Sequence, residues 1–164
     1  MTTAPSSPDG ATVGSTTIKR KNTSITLLAG SIQVFRPQSG TLIFKRSGAH
    51  SRAIRSLDIV KEDRLLLTGS EDGTVRVWTL LDFRCDLVAS MKEHKSAVTA
   101  IRINPADPGE FVSCSEDGSC VIWDLHSCHR RNSFCAPTCF KAVEYLPDGS
   151  QLITAGTDRK VRST

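Results

Sequence analysis

From Ile25 onward the chain breaks into short apolar segments, rich in β-branched residues and separated by turn formers. Ala53 to Ile59, Leu65 to Ser70 and Thr74 to Leu80 read as one trio of strands. Val98 to Ile103, Glu110 to Ser115 and Ser119 to Leu125 read as a second. Phe140 to Leu146, Gln151 to Thr157 and a stub at Lys160 to Arg162 open a third. Lys61-Glu-Asp63, Asn104 to Gly109 and Pro147-Asp-Gly149 fall at the same place in successive trios and carry turn chemistry. No stretch has the spacing of three and four residues that an amphipathic helix needs. The pattern predicts an all-β chain. Residues 1–24 are rich in Ser, Thr and Pro, show no period, and end near Lys19-Arg20-Lys21, which predicts a disordered tail.

The trios are copies of one another. Gly69-Ser-Glu-Asp-Gly-Thr-Val-Arg-Val-Trp78 returns as Cys114-Ser-Glu-Asp-Gly-Ser-Cys-Val-Ile-Trp123. Trp78 and Trp123 lie 45 residues apart, Asp72 and Asp117 also 45, and His50 and His94 44. A period of about 40–45 residues with this wording resembles the WD40 repeat, in which each copy supplies four strands to a propeller. Ala155 to Val161 is a degenerate copy, and Leu27 to Phe35 looks like an earlier one with a shortened turn. The expectation is a WD40 β-propeller fragment with two full four-stranded blades flanked by partial ones. Its segment runs over residues 25–164, with blades at about 25–44 (partial), 45–83, 84–126 and 127–164 (incomplete).

In the WD40 family a His, a Ser or Thr, an Asp and a Trp form a hydrogen-bonded chain that pins a turn to a loop. Carried onto this sequence, the resemblance implies His50, Thr68, Asp72 and Trp78 in one blade. In the next it implies His94, Ser113, Asp117 and Trp123. Only Trp123-Asp124 keeps the Trp-Asp dipeptide, since Thr79 follows Trp78. The third copy keeps Thr154 and Asp158, but Pro137-Thr138 stand where the His should be and Thr164 where the Trp should be. A His beside an Asp and a Ser also matches a hydrolytic triad. Here, however, every member sits at a repeat position and the set occurs twice, which favours a fold device over an enzyme. No phosphate-binding glycine loop or zinc signature stands elsewhere, and no cofactor is expected.

Composition narrows the partners. The 164 residues are 38% apolar, 5% aromatic and carry a net charge of +4. That is one domain's worth of chain, without the aromatic platform or concentrated charge of a nucleic-acid binder. No secretory h-region opens the chain and no apolar run reaches about 18 residues, so neither secretion nor membrane insertion is expected. The six cysteines are accordingly expected as reduced thiols of a cytoplasmic protein. Cys128, Cys135 and Cys139 with His126 and His129 lack a Cys-x-x-Cys pair, so a zinc site is not expected.

The words between the repeats are more specific. Lys92 to Ile103, Ser115 to Leu125, Arg130-Arg-Asn132, Ile153 to Lys160 and the upstream Gly30 to Gly40 occur in order. Over about residues 30–162 they closely resemble the cilia- and flagella-associated protein 52 family, also called the WD repeat-containing protein 16 family. The resemblance implies a non-enzymatic scaffold made of tandem propellers, lodged as a microtubule inner protein in the doublets of cilia and flagella. It implies tubulin and other axonemal inner proteins as partners, and cytoskeleton, cilium and axoneme as the location. Arg52, Arg55, Arg130 and Arg131 are read as loop-borne charges for partner contact. The alternative is a cytosolic WD40 adaptor in signalling or a ubiquitin-ligase complex. The family's longer chains further imply a partial chain here, with open sheet edges that leave residues 25–164 marginally stable or self-associating when alone.

Overall fold

A computed structural model describes residues 16–19, 24–60, 64–81 and 84–163. Four antiparallel sheets stack side by side, and no helix occurs among the described residues. The first holds β1 (Thr16–Lys19), β2 (Ser24–Leu28), β3 (Ser31–Phe35) and β4 (Leu42–Arg46). The second holds β5 (Ile54–Val60), β6 (Leu65–Ser70), β7 (Val75–Leu81) and β8 (Arg84–Met91). The third holds β9 (Val98–Ile103), β10 (Glu110–Ser115), β11 (Ser119–Asp124) and β12 (His129–Cys135). The fourth holds β13 (Phe140–Tyr145), β14 (Leu152–Gly156) and β15 (Val161–Ser163). Strands within each sheet pair in chain order, so each sheet is a meander. The first strands of neighbouring sheets lie side by side, β5 on β9 and β9 on β13.

Apolar residues fill the spaces between sheets. Leu66 of β6 joins Ile25, Ile32 and Trp78 between the first and second sheets, while its neighbour Leu67 joins Val98, Phe111 and Trp123 between the second and third. Successive side chains on one strand thus enter opposite layers. This explains why β6 and β10 are buried almost throughout instead of alternating. A third layer, with Val112, Phe140, Val143 and Tyr145, joins the third sheet to the fourth. Polar bonds repeat across the same interfaces. The Ile101 amide donates to Ser56 Oγ at 2.9 Å, the Ile103 amide to Asp58 Oδ2 at 3.1 Å, and Thr99 Oγ1 to the Phe140 carbonyl at 2.8 Å.

Several expectations need correction. The disordered reading of residues 1–24 fails at Thr16–Lys19, which pairs antiparallel with Ser24–Leu27. The segment read as a partial blade over 25–44 is consequently a full four-stranded sheet. The expected boundaries at 83/84 and 126/127 cut through sheets, because each repeat unit begins with the outer strand of the preceding blade. Residues 1–15 and 20–23, the expected turn Lys61-Glu-Asp63, and Thr164 lie outside the described residues.

The expectation of six reduced thiols also fails. Cys114 and Cys120 form a disulfide. They face each other across β10 and β11 with Cα atoms 4.2 Å apart, and both are fully buried. That spacing is the short one of directly opposed antiparallel residues that share no hydrogen bond. The paired positions in the second sheet are Gly69 and Val75. Cys85, Cys128, Cys135 and Cys139 are free thiols.

Candidate functional site

Each polar chain begins at the centre of a sheet. Thr68 lies on β6 and is fully buried between two layers, where a hydroxyl costs stability unless it is hydrogen-bonded. The Trp78 indole N–H donates to Thr68 Oγ1 at 2.8 Å, and His50 Nε2 stands 2.8 Å from the same oxygen. On the far side of the ring, His50 Nδ1 lies 3.1 Å from Asp72 Oδ2. A carboxylate only accepts, so Nδ1 carries the proton and Nε2 accepts from the Thr68 hydroxyl. Asp72 in turn accepts from Thr74 Oγ1 at 2.6 Å, the Thr74 amide at 3.0 Å and the Ser51 amide at 3.1 Å.

In the third sheet the same end points are joined differently. Ser113 Oγ accepts from the Trp123 indole at 2.8 Å and lies 2.7 Å from His94 Nε2. His94 Nδ1 is 3.7 Å from Asp117 Oδ2, beyond hydrogen-bond reach. Ser119 bridges the gap, 2.8 Å from His94 Nδ1 and donating to Asp117 Oδ1 at 2.5 Å. The direct His-to-Asp bond implied by the resemblance is therefore a relay in this blade. Thr74 and Ser119 were missed from the sequence. Their signal is a hydroxyl two residues after the turn Asp in both copies, the spacing at which such side chains bond each other's turn backbone.

Burial pushes both histidines below their ordinary value, against the nearby Asp72 and Asp117 carboxylates, which favour the charged form. Burial alone would raise the Asp72 carboxyl. The Thr74 hydroxyl and amide, the His50 ring and the Ser51 amide outweigh it and hold the group well below the usual carboxylate range. The chain is thus a neutral imidazole between a hydroxyl and an anionic turn. Its hydroxyls are fully buried and engaged, so neither Thr68 nor Ser113 presents a nucleophile to solvent. Among the described residues, no group of three or more His, Cys, Asp or Glu side chains is arranged to hold a metal ion.

The WD domain, G-beta repeat family matches residues 40–79 and 85–124. Cilia- and flagella-associated protein 52 of Chlamydomonas reinhardtii is 49% identical over 132 residues, 80% of this chain and 21% of the relative. The proteins of that name from Mus musculus and Homo sapiens are 37% and 36% identical over 132 residues, with the same 80% and 21% shares. The chain belongs to the cilia- and flagella-associated protein 52 family of WD40-repeat proteins. It spans about a fifth of the length of these curated relatives.

The namesake Asp of the third blade has its own task. Asp124 accepts from the Ser127 amide at 2.8 Å and the Ser127 hydroxyl at 3.0 Å, closing the turn into β12. It also accepts from Arg131 Nη2 at 2.7 Å, and the Ser127 amide followed by Arg131 holds its carboxyl well below the usual range. Arg131 Nη1 reaches Asp107 and Glu110 as well, each at 3.2 Å. In the fourth WD40 blade Thr154 is buried, and its hydroxyl lacks a partner among the described residues. Asp158 pairs with Arg162, which with the Lys160 amide outweighs burial and holds it at about 2. Thr138, in place of His, accepts the Asp158 amide at 3.3 Å. The arginines read as loop-borne are placed unequally. Arg52 is on an exposed loop, but Arg55 lies on β5 paired with Glu71, and Arg130 and Arg131 lie on β12. Arg130 pairs with Glu93 at 3.1 Å.

Proposed function

We propose that the chain is part of a non-enzymatic scaffold of cilia and flagella, a microtubule inner protein that meets tubulin and neighbouring inner proteins inside doublet microtubules and steadies them for beating. The observation that supports it is the 49% identity to a cilia- and flagella-associated protein across 80% of the chain, loops included. The polar chains fit a scaffold, since both ring nitrogens of His50 and His94 are engaged within the fold. Such a surface offers partners a rigid stack of sheets whose loops supply the contacts.

Extraction separates this reading from that of a soluble adaptor. A tagged full-length protein expressed in ciliated cells is expected to stay with salt-washed doublets and to leave only when the doublets are dissolved. Release into the membrane-and-matrix fraction by detergent alone contradicts the inner-microtubule location.

A further inference from the structure

A cleft of about 890 Å³ opens where the second, third and fourth blades meet. Its walls carry Arg52, Arg55, Lys95 and Lys141 against Glu71, Asp72 and Glu116. The corresponding first-strand positions are Arg55 on β5, Thr99 on β9 and Lys141 on β13. The small Thr99 leaves the space between the two long cations open. Its hydroxyl is spent on the Cys114 and Phe140 carbonyls at 3.1 and 2.8 Å, so the floor is rigid.

The acids in the cleft are already matched. Glu71 pairs with Arg55, Glu116 with Lys141, and Asp72 is held by His50, Thr74 and Ser51. Arg52 and Lys95 are exposed, and neither side chain forms an ion pair among the described residues. They also sit at different repeat positions, two residues after His50 and one after His94. The fold device that recurs from blade to blade takes the Lys95 backbone amide, which donates to Asp117 at 2.7 Å, but neither side chain. Both flanking ion pairs are half in solvent, so an incoming carboxylate exchanges into them at little cost.

We infer that this cleft docks an acidic peptide segment of a partner protein, with carboxylates seated between Arg52 and Lys95 and reaching Arg55 and Lys141. The inference rests on reading the chain as an interaction scaffold and adds the chemistry of what the scaffold holds. The test is fluorescence anisotropy on purified full-length protein with a labelled glutamate-rich peptide. Saturable binding that weakens with salt is expected, since charges at an accessible cleft are screened. Arg52→Glu with Lys95→Glu is expected to weaken it about tenfold or more, with an unchanged thermal midpoint. Arg36→Glu with Lys45→Glu, the same charge change at exposed sites on another blade, is expected to leave it unchanged, and Arg52→Lys with Lys95→Arg to retain it. Absence of binding, equal binding by the doubly reversed variant, or tighter binding of a single-stranded oligonucleotide overturns the inference. These outcomes are read on purified protein, so they leave the ciliary location standing or falling on the extraction experiment alone.

Discussion

Thr68 and Ser113 each accept an indole N–H and donate to a histidine ring nitrogen through one hydroxyl at the centre of the fold, with all three groups buried. Removing such a hydroxyl leaves two buried polar groups unpaired at once. Thr68→Val is nearly isosteric, so packing survives and the loss is electrostatic. A destabilisation of about 1–3 kcal/mol is expected in urea unfolding; an unchanged midpoint would show that the chain contributes nothing. The same residues set a pH dependence. The folded-state values of His50 and His94 lie below 6.5, so the unfolded chain binds protons more readily beneath that pH. Their contribution is fully present above pH 6.5 and is lost as pH falls toward the depressed folded values. Asp72 and Asp117 lie below 3.8 when folded, so their contribution persists to lower pH and is lost beneath 3.8. Thermal midpoints are therefore expected to be flat above pH 6.5, to fall below it, and to fall again below 3.8. A rise in midpoint on acidification from about pH 7 to pH 5 contradicts the neutral-imidazole assignment. The end points of these chains came from the WD40 resemblance, carried onto this sequence residue by residue, and not from spacing alone. Thr74 and Ser119, 3.0 and 2.8 Å from the Nδ1 atoms of His50 and His94, were missed because that resemblance names four positions and the hydroxyl two residues after the turn Asp is not among them.

At the scale of elements, the turn joining β10 to β11 concentrates several constraints. Gly118 has φ +83°, and a Cβ there would stand 2.5 Å from the Ala136 carbonyl of the following loop. Gly118→Ala therefore strains the turn and pushes the fourth blade's entry loop away. An expected cost of about 1–3 kcal/mol in chemical denaturation checks this. The Cys114–Cys120 disulfide closes the same short turn. Closing so short a loop restricts the unfolded chain modestly, so Cys114→Ser is expected to cost about 2 kcal/mol by loop entropy. Peptide mapping after alkylation without reductant is expected to leave Cys114 and Cys120 unlabelled and Cys135 labelled; alkylation of both members of the pair in folded protein contradicts the bond. The inner three strands of each repeat were legible from turn-bounded β-branched runs. The outer strands β8 and β12 were not, because most of their residues face solvent and carry little apolar signal. β1 escaped notice for a related reason. It is four residues within a Ser- and Thr-rich stretch and is defined only by pairing with β2. The disulfide was missed because compartment reasoning replaced the register that places the two thiols opposite each other.

Across the whole molecule, no blade is self-sufficient. Trp78 of the second blade is buried in a layer completed by Ile25 and Ile32 of the first, and Trp123 of the third in a layer shared with Leu67 of the second. The stack is thus bound by nearest-neighbour interfaces, as in other repeat proteins. The repeat architecture was plain in the sequence, whereas the cleft was not, since it depends on three first strands meeting around Thr99. The central claim, a scaffold held inside ciliary doublets, is tested most directly by cross-linking mass spectrometry on intact, salt-washed doublets. The expected result is cross-links from lysines of this chain, Lys95 and Lys141 among them, to tubulin or to other proteins retained in the doublet. Recovery of these peptides only from the soluble fraction, cross-linked to ligase or kinase subunits, would contradict the account and establish the adaptor reading instead.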